Sequence, residues 1–318
     1  MSQLVSPAAF PPLLPKKGTI GVVAPSCLTE SAWLEAMKRR MEARGYEVVI
    51  HDQCYLKNGA LAGSDAARAE AINDMFADGT IDAVFCARGG NGSILLLDRL
   101  DYEMIRANPK PYVGFSDSTA IVNTLASHAG LVAYHGPMGW NFDEPQYTPE
   151  TEADLFTMIA QEHEGPRCLQ LNEAQVERGG QAQGRLVGGN MSLLQALIGT
   201  PYDWSAKDGI LFIEDVEEPL YKLERVLTQM RLAGKFEGVR AVLVGEMIGI
   251  LDEKPDLDPK EHTRYGTDFK DIVIKHLPPD VPLAFNVPCG HGRHLATFPV
   301  GAQVRVTLGQ VCGMEVCE

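Results

Sequence analysis

The chain has 318 residues, 45% of them hydrophobic and 22% charged, with a formal net charge of −14. That length suits two domains of the common size, roughly 100–200 residues each. An acidic surface repels phosphate backbones and anionic lipid, so nucleic-acid and membrane partners are not expected.

Seven cysteines, Cys27, Cys54, Cys86, Cys168, Cys289, Cys312 and Cys317, are scattered without a C-x-x-C pair. An odd number without paired spacing argues for a reducing compartment, and against a disulfide frame or a zinc site. The first residues, MSQLVSPAAFPPLLPKKGTI, carry no positive charge ahead of their weakly apolar part, and prolines interrupt it. That is not the pattern of a signal peptide. No stretch approaches the ~18 unbroken apolar residues of a membrane span. A cytoplasmic location is the resulting expectation.

From residue 18 strand and helix signals alternate. TIGVVAPS is an apolar run ending in turn residues. Residues 30–44 then place Trp33, Leu34, Met37 and Met41 at helical spacing, with Gly45 as a stop. YEVVIH predicts a strand. Ser64 caps a second helix carrying Ile72, Met75 and Phe76, stopped at Gly79. IDAVFCA predicts a buried strand, followed by the loop RGGNGS and a helix over ILLLDRL. YVGF is a fourth strand leading into a helix from Asp117, and LVAYH is a fifth. Repeated strand–helix–strand units imply a doubly wound, mostly parallel sheet. Such sheets place their sites beyond the carboxyl ends of the strands.

Residues 140–182 turn polar, with many Pro, Gly and Gln, and predict a linker containing one helix. After Gly184, LVGGNMSLLQALIG predicts a glycine turn into a short helix. GILFIED is a buried strand ending in two acids. PLYKLERVLTQMRLAG is an amphipathic helix with Leu220, Leu223, Val226, Leu227 and Met230 on one face. AVLVGEM and PLAFNVPCGHGRH each begin as strands, and LATFPVG with AQVRVTLG predicts a hairpin. The expected organisation is a domain over 1–145, a linker over 146–183 and a mixed α/β domain over 184–318.

Ser116, in GFSDST, has two readings. Serine is a favoured helix cap, because its oxygen accepts the free N–H groups of a first turn. Serine at a strained strand-to-helix turn is also an exposed nucleophile. The loop RGGNGS matches neither G-x-G-x-x-G nor a P-loop and lacks the P-loop lysine. Its Gly90 could instead offer a backbone N–H to an oxyanion. A serine nucleophile needs a base. His291 and His294 stand in a glycine-flanked loop after an apolar strand, and Glu214 and Asp215 end the strand ILFI. A carboxylate on the far side of the base would fix its tautomer. The acidic segment LDEKPDLDPKEH, residues 251–262, lacks the spaced glycine and final glutamate of an EF-hand and reads as a solvated loop.

Taken in order, VAPS, ARGGNG, GFSDSTA, YHGPM, LVGGNMSLLQALIGT, LFIEDVEEPLYKLERVL and CGHGRHLATFPVG resemble the LD-carboxypeptidases, serine peptidases that trim cell-wall tetrapeptides. The resemblance runs from about residue 18 to residue 305. It implies a triad of Ser116, Glu214 and His291, with oxyanion donors at the N–H groups of Gly90 and Asp117. It implies that an N-terminal α/β domain brings the serine and a C-terminal domain brings the other two, so that the active site lies in the cleft between them. It further implies cleavage of an L,D-bond to terminal D-alanine in murein tetrapeptide, no cofactor, peptidoglycan recycling in the cytoplasm, and a homodimer. The position after RGG is commonly aromatic in the family and is Asn91 here. Arg88 and Arg293 are candidates for gripping the substrate's terminal carboxylate, which arginine does through two parallel hydrogen bonds. Two alternatives remain at this point. One is a microcin-immunity-type hydrolase of aminoacyl or peptidyl nucleotide analogues, for which Trp140, Phe142 and Tyr147 could stack on a base. The other is a non-catalytic peptide-binding module in which Ser116 is only a cap.

Overall fold

A computed structural model describes residues 8–250 and 268–317. In chain order the elements are β1 (Thr19–Val23), α1 (Ser31–Ala43), β2 (Glu47–Ile50), α2 (Asp65–Ala77), β3 (Ala83–Cys86), α3 (Tyr102–Ala107), β4 (Tyr112–Val113), α4 (Thr119–Thr124) and β5 (Ala133–His135). Then come α5 (Pro149–Ile159), β6 (Cys168–Gln170), β7 (Gln175–Arg178), β8 (Gly180–Asn190), α6 (Met191–Leu197), β9 (Gly209–Val216) and α7 (Leu220–Leu232). The last are β10 (Ala241–Ile248), α8 (Phe269–His276), β11 (Leu283–Val287), β12 (Phe298–Val300), β13 (Gln303–Leu308) and β14 (Gly313–Val316).

The first sheet has the order β12-β5-β4-β3-β1-β2. Strands β1 to β5 pair in parallel, and β12 joins the β5 edge antiparallel. All four residues of β3 are buried, as expected of a strand covered on both faces. The chain leaves β1 toward β2 and returns to β3 on the other side. That reversal of strand order is a topological switch point, the place beside which doubly wound sheets bind ligands. Helix α1 buries Leu34, Met37 and Met41, and the Ser64 hydroxyl caps α2 by accepting the Ala67 N–H at 3.2 Å.

The second sheet has the order β6-β14-β13-β8-β9-β10-β11-β7. Its centre, β8 to β11, is parallel, and the outer pairings are antiparallel. Helix α7 buries Leu220, Leu223, Val226, Leu227 and Met230, the face its spacing predicts. Buried apolar residues of both sheets form one continuous core. The fold is thus a doubly wound, mostly parallel sheet joined to a mixed α/β unit. Among the described residues no helix is long and apolar enough to cross a membrane.

Four local features differ from the sequence expectation. The ILLLDRL helix does not form. Ser93–Leu96 makes a single tight turn after Gly92, held at its start by Ser93 bonding to Asp117, and Asp101 then caps a separate helix, α3. Gly188 and Gly189 lie within β8 instead of in a turn. A Cβ at Gly188 would run into the Phe212 carbonyl, and one at Gly189 would meet the Thr119 side chain at 2.5 Å, so glycine lets β8 approach both β9 and α4. The hairpin expected from LATFPVG and AQVRVTLG is absent, because β12 crosses to pair with β5 while β13 pairs with β8 and β14. The stretch 146–183 holds α5, and also β6 and β7 of the second sheet. The acidic segment 251–262 lies outside the described residues.

Candidate active site

Two residues separate Ser116 from the end of β4, and it starts the turn into α4. Its φ is 58°, in the left-handed region that a residue with a Cβ seldom adopts. Three glycines let the chain pack closely around it. Gly114 must be glycine, since a Cβ there would meet Cys86 Sγ at 2.6 Å and Ser118 Oγ at 2.8 Å. A Cβ on Gly89 would lie 2.9 Å from Ser116 Cβ, so the RGG turn packs directly on the serine. Gly90 has φ 116° and lies against Cys27.

Ser116 does not cap the helix. Neither the turn Ser116–Ser118 nor α4 receives a side-chain cap, and Ser118 Oγ contacts Tyr112 Oη and Cys86 Sγ instead. The Ser116 hydroxyl lies 3.2 Å from His291 Nε2, and His291 Nδ1 lies 2.7 Å from Glu214 Oε2. A carboxylate only accepts, so Nδ1 carries the proton and Nε2 presents a lone pair to the Ser116 O–H. Glu214 is fully buried at the carboxyl end of β9, and His291 is mostly buried in the loop after β11. The residues named from the sequence thus converge from the carboxyl ends of strands in both sheets. Burial pulls the His291 pKa down, but the nearby carboxylates, Glu214 first and then Asp215 and Glu246, outweigh it and raise it above the usual histidine value.

The two acids of FIED divide their work. Asp215 accepts from Asn190 Nδ2 and Val216 N–H, and from the Ser192 N–H and hydroxyl near the start of α6. Burial, reinforced by Glu214, raises its pKa to about 6.

Asp117 is buried, and its carboxylate accepts from Ser26 Oγ at 2.5 Å and Ser93 N–H at 2.8 Å. It therefore ties the serine turn to the loops after β1 and β3. Its own N–H sits at the start of a helical segment, where amides lack intrahelical acceptors. Arg88 donates to the Leu28 carbonyl at 2.8 Å and lies 5.1 Å from the Trp33 ring centroid. Asn91 and Arg293 are exposed. The Arg293 carbonyl faces the Thr148 and Thr151 hydroxyls, both at 3.5 Å.

Sequence reasoning misses Glu246. Its Oε2 accepts the Gly290 N–H at 2.9 Å, next to His291, and a Cβ on Gly292 would strike its carboxylate. Burial leads in raising its pKa. The available signal is an acid following Gly245 at the end of the buried run AVLV. His294 is also more engaged than its motif suggests: its ring bridges Asp154 at 2.9 Å and Glu173 at 3.0 Å. Burial opposes its charge, but these two acids raise its pKa to about 9.

A hydroxyl at positive φ, an imidazole and a buried carboxylate in this order are the working parts of a serine hydrolase. Comparisons with known proteins narrow the class. Residues 20–136 match the LD-carboxypeptidase N-terminal domain, and residues 183–306 match the LD-carboxypeptidase C-terminal domain. A probable murein peptide carboxypeptidase of Bacillus subtilis is 34% identical over 235 residues, covering 74% of this chain and 73% of that protein. The crystal structure of muramoyltetrapeptide carboxypeptidase from Oxalobacter formigenes superposes with a TM-score of 0.78 at 25% identity, covering 94% of this chain and 99% of that one. The structure of MccF in complex with glutamyl sulfamoyl guanosine shares the fold, with a TM-score of 0.86 at 20% identity and coverage of 98% and 99%. The chain belongs to the LD-carboxypeptidase family.

Proposed function

We propose that this protein releases terminal D-alanine from murein tetrapeptide through an acyl-enzyme on Ser116. The observation that carries the reading is the His291 ring, set between Ser116 Oγ at 3.2 Å and Glu214 at 2.7 Å. His291 Nε2 takes the Ser116 proton as the oxygen attacks the carbonyl carbon of the L,D-bond. Glu214 holds the ring and stabilises the imidazolium. The N–H groups of Gly90 and Asp117 face the developing oxyanion, and one such donor is worth roughly 10²–10³ in rate. The C–N bond breaks, and His291 passes its proton to the departing amine. Water, activated by the same ring, then hydrolyses the ester and frees the shortened peptide. Arg88 and Arg293 are the proposed partners of the terminal carboxylate, and Asn91 a further substrate contact. We also place the protein in the cytoplasm, as a homodimer acting in peptidoglycan recycling.

Two observations favour the peptide over a nucleotide analogue. Of the three aromatics that could stack on a base, Phe142 is buried, and Tyr147 is covered by the Arg40 guanidinium 3.4 Å from its ring centroid, while Trp140 is half-buried and, among the described residues, has no such cover. The absence of a Ser116 cap favours catalysis over mere peptide binding. Mass spectrometry of murein tetrapeptide incubated with wild type and Ser116→Ala tests the proposal. Loss of one alanine with wild type alone is expected, and equal cleavage by both overturns it. An aminoacyl-sulfamoyl-adenylate cleaved in preference to tetrapeptide would favour the microcin-immunity reading.

A further inference from the structure

We infer that His135 is a positioning residue: it hydrogen-bonds the loop carrying the base to the sheet carrying the nucleophile and so sets His291 on Ser116. The inference rests on the proposed roles of Ser116 and His291. His135 ends β5 and is 1% exposed. Its Nε2 lies 2.8 Å from the carbonyl oxygen of Cys289, two residues before His291. A carbonyl only accepts, so His135 must carry its proton on Nε2 and donate it. Burial, the leading cause, lowers its pKa to about 4, which keeps the ring a neutral donor through the working pH range.

The ring also keys the other two members. Phe115, the residue before Ser116, packs edge-on against it at 5.7 Å between centroids and 71° between planes. Phe212, two residues before Glu214, does the same at 4.9 Å and 77°. Phe115 in turn lies 5.0 Å from the His291 ring. One imidazole thus touches the segment that bears each of the three reacting side chains. Glu246 holds the same loop from β10, and Thr151 and Asp154 hold it from α5. Among the described residues, the His135 bond is the one that reaches it from a strand of the first sheet. A phenylalanine could fill this aromatic slot, so the packing alone does not call for histidine, whereas the bond to Cys289 does.

The experiment compares wild type, His135→Phe and His135→Gln as full chains. It measures kcat and KM on murein tetrapeptide, and the rate of labelling by a fluorophosphonate, which needs Ser116 and His291 but no peptide. A misplacement of about 1 Å costs roughly 10²-fold. His135→Phe should therefore lower kcat and the labelling rate together by about 10²-fold while leaving KM within about threefold. His135→Gln, which keeps an N–H of similar reach, should stay within about tenfold of wild type. Wild-type rates in His135→Phe, or equal losses in the two folded variants, overturn the inference. Should His135→Phe not fold, ¹⁵N spectra of the wild-type histidines decide. A neutral, Nε2-protonated ring between pH 5 and 8 supports the bond, and a ring charged at pH 6 or protonated on Nδ1 overturns it. A wild type that labels but leaves tetrapeptide intact refutes the substrate alone, and one that does neither refutes both.

Discussion

The two halves of the site are held in different ways. Ser116 is placed from within its own sheet: by a left-handed φ, Gly114 two residues back, the RGG turn packed on it, and Asp117 next door, whose carboxylate accepts from Ser93 and Ser26. His291 sits between two glycines, Gly290 and Gly292, in a loop held by bonds from other elements. Glu246 reaches the loop from 44 residues away and His135 from 154, and Asp154 of α5 and Glu173 hold it at His294. A nucleophile needs a fixed direction of attack, which a strained turn packed against loops of its own sheet supplies. A base needs a fixed distance to a group in another domain, which only cross-chain contacts supply.

That contrast can be broken at graded points. Ser116→Ala removes the proposed nucleophile, and Glu214→Gln removes the charge that holds the proposed base. Losses of about 10⁴–10⁶-fold and about 10⁴-fold in kcat are expected, measured by alanine release with protein confirmed folded. Gly89→Ala tests the local half: its Cβ would press on Ser116, and a loss of about 10²-fold in kcat with little change in melting temperature is the expected outcome. Glu246→Gln tests the relayed half more gently. Its amide oxygen still accepts the Gly290 N–H, but a negative charge near His291 is gone. The base must be neutral to act, so activity falls as pH drops through a value above the ordinary 6.5 of histidine. In Glu246→Gln that acid limb should move to lower pH, read from kcat/KM against pH.

The smallest effect concerns the outer anchor. His294 has its pKa raised to about 9 by Asp154 and Glu173 against the opposing effect of burial. A raised folded-state value contributes stability that is fully present below the unfolded value of about 6.5 and is lost as pH rises through about 9. Denaturant titrations should show stability declining by at most ~2–3 kcal/mol across that window, with the slope flattened in His294→Gln. A wild type whose stability is level from pH 6.5 to 9 would remove His294 from the set of anchors.

Much of this was legible along the chain. Apolar runs marked the strands β1, β3, β9 and β10, and helical spacing marked the buried face of α7, because these patterns reflect burial that each segment must achieve wherever it lies. GFSDST pointed to Ser116 and the glycine-flanked CGHGRH to His291 or His294, because a reactive turn needs small residues in a short span, while FIED narrowed the acid to Glu214 or Asp215; the family resemblance chose Glu214 and His291. Glu246, His135 and Thr151 were not legible in their roles. An acid at a strand end, a histidine in an apolar strand and a threonine beside a helix start look the same whether or not another segment needs them.

Taken by itself, the sequence determined which segments become strands and helices and which short loops can host chemistry, since backbone conformation and local burial depend on near neighbours. Only the tertiary structure decided that β12 crosses into the first sheet, that Glu214 rather than Asp215 faces the base, and that His291 meets Ser116 at 3.2 Å. Those outcomes depend on distances between parts of the chain that no local pattern encodes, and they are set when two sheets pack against one continuous core.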